Sequence, residues 1–289
     1  MIIPPLRYLR PTSLEQATNW LTHLDGATVL AGGQTLVNAL KLDLVAPDFL
    51  IDVHRLEELS GIEVATDGTV SIGAATTYAA IAADPGVQAN APAVATMAAG
   101  LVDRQVRNRG TIGGNVCLND PTNNYPPLLL ALGARFHVAG PDGIRVIEAS
   151  DFFVGTLATA LGTGEILVRI EVPHLPEEAR VVHRHLQLAK DSWAVARCVV
   201  RLDVHDGVVA GATVALGTVL GSPVRLAAVE AALVGQPLDV RLIDLASASF
   251  DNETFEAASD VHCSADYRRR MAKVQLHRAL TDLVNGDHA

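Results

Sequence analysis

Arg107-Asn-Arg-Gly-Thr-Ile-Gly-Gly-Asn115 is the stretch on which the fold of this chain turns. It sets Gly110, Gly113 and Gly114 among residues rich in hydrogen-bonding groups. Glycine lacks Cβ and reaches positive φ, so adjacent glycines let a backbone present successive N–H groups in a concave turn. Such a turn accepts an anion, phosphate most often. A similar stretch, Val29-Leu-Ala-Gly-Gly-Gln-Thr35, lies well upstream. Two Gly-Gly turns, each following an apolar or β-prone segment, would grip one diphosphate from two sides.

Gly32-Gly33 alone is equally what a tight strand-to-helix turn uses with no ligand. It has neither the Gly-Lys-Ser/Thr ending of a P-loop nor the Gly-x-Gly-x-x-Gly spacing of a Rossmann site. The second Gly-Gly stretch, flanked by Thr111 and Asn115, favours an anion. Gln34, Thr35, Thr111 and Asn115 bond phosphate or ribose oxygens without carrying a charge. The expected site therefore binds a diphosphate through N–H dipoles rather than lysines. Directly after it, Asp120-Pro-Thr-Asn-Asn-Tyr125 reads either as a capped helix entry or as a source of sugar contacts from Asn119, Asp120 or Asn124.

Composition narrows the classes. The 289 residues suffice for one large domain or two to three smaller ones. With 49% hydrophobic and 19% charged residues the chain folds rather than staying disordered. A formal charge of −10 argues against nucleic-acid binding, which needs clustered bases. The short basic clusters at Arg104–Arg109 and Arg268–Arg270 read as solvated helix faces. No apolar run reaches membrane-spanning length, and the N-terminal Met1-Ile-Ile-Pro-Pro-Leu-Arg7 lacks a signal-peptide layout. Cys117, Cys198 and Cys263 form no Cys-x-x-Cys pair, so neither an iron–sulfur cluster, a structural zinc nor a disulfide framework is expected here. A reducing, cytoplasmic setting follows.

Other chemistry is sparse. His183 and His185 share one strand face, but no third ligand stands at metal spacing, so a surface strand is the better reading. No Gly-x-Ser-x-Gly or His-Glu-x-x-His occurs, which leaves hydrolase readings without a foothold. Trp193 reads as a core residue on a strand, or as an aromatic that stacks on a planar cofactor.

In chain order, a helix capped at Thr12 or Ser13 carries an apolar stripe of Leu14, Ala17 and Leu21 and stops near Asp25-Gly26. A strand at 27–31, a short helix at 36–42 and a strand at 49–53 complete a β–turn–α–β unit. A hairpin at 62–72 follows, then an Ala-rich helix, a second one at 91–101, and a helix from Tyr125 with prolines in its first turn. Strands at 135–139, 143–148 and 165–172 precede a Pro-rich boundary at Pro173-His-Leu-Pro-Glu-Glu178. Beyond it come strands at 181–188, 194–205 and 208–216, two helices at 225–234 and 242–248, and a basic helix at 265–284. The class is α+β, without a fixed-period repeat.

Taken together, these residues resemble the flavin-binding subunits of molybdenum hydroxylases, the family of xanthine dehydrogenase and the aerobic carbon monoxide dehydrogenases. The likeness rests on Ala31-Gly-Gly-Gln-Thr35, Lys41-Leu42, Leu50-Ile-Asp-Val53 and Val106-Arg-Asn-Arg-Gly-Thr-Ile-Gly-Gly-Asn115. Ile72-Gly-Ala-Ala-Thr76, Gly164-Glu-Ile-Leu167, Pro223-Val-Arg225, Ser264-Ala-Asp-Tyr-Arg-Arg269 and Arg278-Ala-Leu280 add to it.

The resemblance implies two N-terminal α/β subdomains of a PCMH-type FAD-binding fold, about 1–55 and 56–175, and a C-terminal α+β domain over 176–289. FAD would lie in the cleft between them, bound non-covalently. Carried over by position, Ala31, Gly32, Gly33, Gln34, Thr35, Thr111, Ile112, Gly113, Gly114 and Asn115 would hold its diphosphate. Leu167 and Trp193 would stand near the isoalloxazine, Trp193 where tyrosine is usual. Asn124 would contact the cofactor where many members carry aspartate. The resemblance further implies an oxidoreductase subunit with no catalytic acid or base and no metal of its own. A large subunit would hold a molybdenum pterin and a small one two 2Fe–2S clusters. Electrons would pass through this FAD to an external acceptor, in a dimer of heterotrimers. A free-standing FAD-dependent reductase and a non-catalytic nucleotide-binding module are the alternatives.

Overall fold

The computed structural model describes residues 3–101, 103–189 and 192–286; Met1 and Ile2 of the N-terminal stretch lie outside them. The fold is α+β. The chain divides into two compact units, and neither is a continuous segment.

The first unit comprises Met1–Leu118, Arg135–Phe152 and Thr159–Val172. Helix Leu14–His23 starts where Ser13 accepts a hydrogen bond from the Gln16 N–H at 3.1 Å. It ends before Gly26, which takes a φ of +71°. Strands Ala27–Leu30 and Phe49–Asp52 pair in parallel with Val29 opposite Ile51, as a β–α–β crossover requires. A third strand, Arg7–Leu9, joins on the other side of Phe49–Asp52. Three residues hemmed by prolines carry too short an alternation for that strand to show in the sequence.

The unit's second sheet is antiparallel, in the order Ile62–Val64, Val70–Gly73, Ile166–Val172, Arg135–Gly140, Gly143–Glu148. Between Thr77 and Ala91 the sequence suggested one helix; there are two, Tyr78–Ala83 and Pro85–Asn90. Asp84 causes the break by accepting from the Val87 N–H at 2.9 Å, with Pro85 opening the next turn. Helices Pro92–Ala99, Arg104–Arg109 and Ile112–Leu118 follow. Ala17, Ile51, Val53, Leu56 and Leu59 bury against Ala139, Ile166 and Val168, so both sheets share one core.

The second unit comprises Asn119–Ala134, Phe153–Ala158 and Pro173–Ala289. Its sheet runs Ala179–Gln187, Ala194–His205, Val208–Gly217, Val224–Arg225, all antiparallel. Alternation along the central strand turns Ala196, Cys198, Val200, Leu202 and Val204 to one face. Helices Ala227–Leu233, Val240–Phe250 and Ala265–Asn285 cover that face. Helix Tyr125–Leu132, with all eight residues buried, packs against the same strands. Pro127 approaches Gly217 so closely that a Cβ there would stand 2.7 Å from its ring. Among the described residues no helix is long and apolar enough to cross a membrane.

Candidate functional site

The first Gly-Gly stretch forms the expected turn. Strand Ala27–Leu30 runs into Ala31-Gly32-Gly33-Gln34-Thr35, and helix Leu36–Lys41 leaves it. Gly33 takes a φ of +72°, a left-handed conformation that costs residues bearing a Cβ. The Val37 and Ala39 N–H groups return to the Gly33 and Thr35 carbonyls, at 3.1 and 2.9 Å. By contrast, the N–H groups of Gly32, Gly33, Gln34 and Thr35 meet no protein acceptor among the described residues. Four consecutive donors therefore remain for a ligand. Gln34 folds its amide back onto the Gly32 carbonyl at 3.2 Å, and Thr35 is exposed.

The second Gly-Gly stretch is brought against the first. A Cβ on Gly32 would stand 2.2 Å from the Arg109 carbonyl oxygen and 3.0 Å from the Gly110 Cα. Here glycine permits backbone to touch backbone. Conformation separates the two stretches, however. Gly113 and Gly114 lie in helix Ile112–Leu118 and have no positive φ, so the expected concave turn is absent. Its leading N–H groups are already used: Ile112 donates to the Thr76 carbonyl at 3.1 Å and Gly113 to the Ala74 carbonyl at 2.9 Å. Gly114 donates to Thr111 Oγ1 at 3.1 Å and Asn115 to the Thr111 carbonyl at 3.1 Å. Thr111 acts as a helix cap, and the Thr-x-x-Gly spacing is the signal that would have shown it. Gly113 is small because Ala74 packs on it, whereas a Cβ on exposed Gly114 would meet only Thr111 Oγ1, at 2.9 Å.

The remaining sequence-derived residues divide between the units. Ile112 is fully buried and serves packing. Asn115 hydrogen-bonds the Tyr78 phenol, whose pKa burial pushes up to about 12. Leu167 is buried in the first unit's sheet; the next residue, Val168, accepts from the Ala74 N–H at 2.8 Å, and Ala74 in turn accepts from Gly113. Asn124 and Trp193 belong to the second unit. Asn124 is buried and precedes helix Tyr125–Leu132 without a side-chain cap bond. Trp193 is 74% exposed and precedes the strand, so the core reading of it is corrected.

Neighbouring candidates resolve as structure. Asn119 donates through Nδ2 to the Gly155 and Ala158 carbonyls at 2.7 and 2.9 Å, and Asp120 accepts from the Thr122 N–H and hydroxyl at 2.8 and 2.6 Å. His183 and His185 stack with ring centroids 5.2 Å apart, and Arg197 Nη1 donates to His183 Nε2 at 3.1 Å. Burial, then the Arg197 charge, lowers both histidine pKa values. Among the described residues no His, Cys, Asp or Glu cluster suits a metal ion.

What the motifs missed is the surround. A cleft of about 540 Å³ opens over residues 31–34, lined also by Tyr8, Arg10, Lys41, Asp52, Arg55 and Arg109. Tyr8 hydrogen-bonds Asp52, which raises its phenol pKa above the ordinary value. The residues fit a dinucleotide: the glycine turn leaves room for a diphosphate, and its N–H groups are free to bond one.

Two family models match the chain. Residues 4–175 match the FAD binding domain in molybdopterin dehydrogenase, and residues 182–283 the carbon monoxide dehydrogenase flavoprotein C-terminal domain. The chain belongs to this flavoprotein family. As one of its members, it is an FAD-binding medium subunit of the molybdenum hydroxylases, an oxidoreductase group. Among molybdenum hydroxylase subunits it is 35% identical to the carbon monoxide dehydrogenase medium chain of Hydrogenophaga pseudoflava, over 97% of each chain. It is 34% identical to the glyceraldehyde dehydrogenase medium chain of Sulfolobus acidocaldarius, over 98% of this chain and 100% of that one. The solved Hydrogenophaga pseudoflava carbon monoxide dehydrogenase superposes with a TM-score of 0.94 at 36% identity, over 100% of both chains.

Proposed function

We propose that this chain holds FAD non-covalently, with the diphosphate on the Ala31–Thr35 turn, and relays electrons from an iron–sulfur partner to an external acceptor. The observation that carries this reading is the turn itself: four consecutive N–H groups with no acceptor among the described residues, one of them on Gly32, which lets two backbone segments meet. When bound, the flavin supplies the redox chemistry. The chain's part is to bind and orient it. Gly32 and Gly33 keep side chains out of the diphosphate's path, and exposed Gly114 leaves open the helix face beside Thr111. Leu167 and Trp193 are proposed as residues near the isoalloxazine, and Asn124 as a further cofactor contact. The proposed domain division, 1–175 and 176–289, assigns the diphosphate to the N-terminal part.

The assembly is proposed as a heterotrimer, pairing into a dimer, with a large molybdenum-pterin subunit and a small subunit bearing two 2Fe–2S clusters. Relatives named as medium chains support a multi-subunit setting. A cytoplasmic location accords with free, widely spaced cysteines. An absorption spectrum of the purified chain, before and after heat release of its chromophore, tests the binding step. Flavin bands with FAD in the supernatant are expected. A colourless chain that resists reconstitution with FAD would remove the reading.

A further inference from the structure

The cleft over residues 31–34 carries more positive charge than the Gly-Gly motif explains. Arg10, Lys41, Arg55 and Arg109 all line it and all are exposed. Among the described residues none of the four forms an ion pair. The acid in the lining, Asp52, is already engaged by the Tyr8 hydroxyl and by the His54 N–H at 3.1 Å. This concentration stands out in a chain with 32 acidic and 22 basic residues. Because physiological salt screens charge beyond about 8 Å, the local cations rather than the net charge set the field in the cleft.

We propose that Arg10, Lys41, Arg55 and Arg109 form a cationic collar that attracts and holds the ligand's diphosphate, adding charge to the neutral N–H turn. The inference rests on the flavin reading above and deepens it. It makes the nucleoside-diphosphate half of the ligand the anchor of this cleft. It adds side-chain charge to the expected site of N–H dipoles. Exposed cations contribute modestly one by one, about two- to fivefold in affinity each, but four facing one dianion act together.

The test uses the full chain, stripped of flavin and titrated by fluorescence with FAD, ADP and riboflavin. Raising salt from about 0.05 to 0.4 M shortens the Debye length from about 14 to about 5 Å. FAD and ADP affinities should fall several-fold over that range while riboflavin binding does not respond. The double variant Arg55→Leu/Arg109→Met should bind FAD on the order of tenfold more weakly at low salt. It should also lose much of the salt response. Arg104→Met removes a charge from the same helix as Arg109 but outside the cleft lining, and should match the wild type. Should the double variant fail to fold by thermal melt, the contrasting wild-type responses of ADP and riboflavin decide the matter. FAD binding that ignores both salt and the double substitution would overturn the collar and leave the flavin reading standing. A wild-type chain that binds neither FAD nor ADP would overturn both.

Discussion

Glycines in the paired stretches have different jobs, and single substitutions separate them. Gly32→Ala would drive a methyl into the Arg109 carbonyl, 2.2 Å away, where two backbones meet and neither can yield cheaply. A stability loss of about 1–3 kcal/mol is expected, with lower flavin content, read by urea denaturation and absorbance. At Gly114 an added Cβ would meet only the Thr111 hydroxyl, at 2.9 Å, in an exposed helical position, so Gly114→Val should cost stability less than Gly32→Ala does. Flavin retention should nevertheless fall, because the branched side chain fills the open side of the proposed site. Full flavin occupancy in that variant would mean the Gly114 face is not used. His183 is a separate matter. Burial and the Arg197 and Arg184 charges, with His185 beside it, lower its pKa. The unfolded chain then binds more protons near pH 6.5, so this stability is complete above that pH and lost as pH falls below it. The urea midpoint should drop from pH 7.5 to about pH 5.5. His183→Gln should flatten that slope, and an unchanged slope would assign it to other groups.

At the level of elements, sequence periodicity located nearly every long strand and helix, and capping chemistry placed several ends. Ser13, Gly26 and the hairpin at Asp206-Gly207, both at positive φ, stand where local chemistry demands. Helix Ile112–Leu118 shows the limit. Two glycines looked like a turn, yet Thr111 caps a helix and its N–H groups bond Thr76 and Ala74, partners more than thirty residues away in sequence. Phe152-Phe-Val-Gly155 reads as a loop in the sequence, but Phe153–Gly155 is a short strand paired with Ala158–Thr159, and its anchor is not legible there either. Asn119, at a φ of +44°, holds the Gly155 and Ala158 carbonyls with one amide. Asn119→Ala would strand two carbonyls and force alanine into the left-handed region. A cost of about 2–4 kcal/mol is expected, measured as a shifted denaturation midpoint. A change below about 0.5 kcal/mol would mean that water replaces the amide.

For the whole molecule, the division into compact units does not follow the chain. Helix Tyr125–Leu132 packs on the sheet of residues 179–225, although the Pro-rich stretch at 173–178 lies between them. A fragment of 176–289 would therefore expose the strands that this buried apolar helix covers. It should bind ANS and give poorly dispersed amide resonances, whereas supplying residues 119–134, which carry the covering helix, should restore order. A well-folded 176–289 fragment would contradict that reliance. Local order along the chain determined much by itself: the α+β class, the β–α–β entry, the Gly32–Gly33 turn and the family likeness. These depend on periodicity, capping and φ preferences, which act between near neighbours. Only the tertiary structure decided that Arg109 meets Gly32, that Arg10, Lys41, Arg55 and Arg109 converge on one cleft, and that Thr111–Asn115 is helical. Each depends on contacts between residues distant in sequence, and no local pattern encodes which solvated arginine will face which turn.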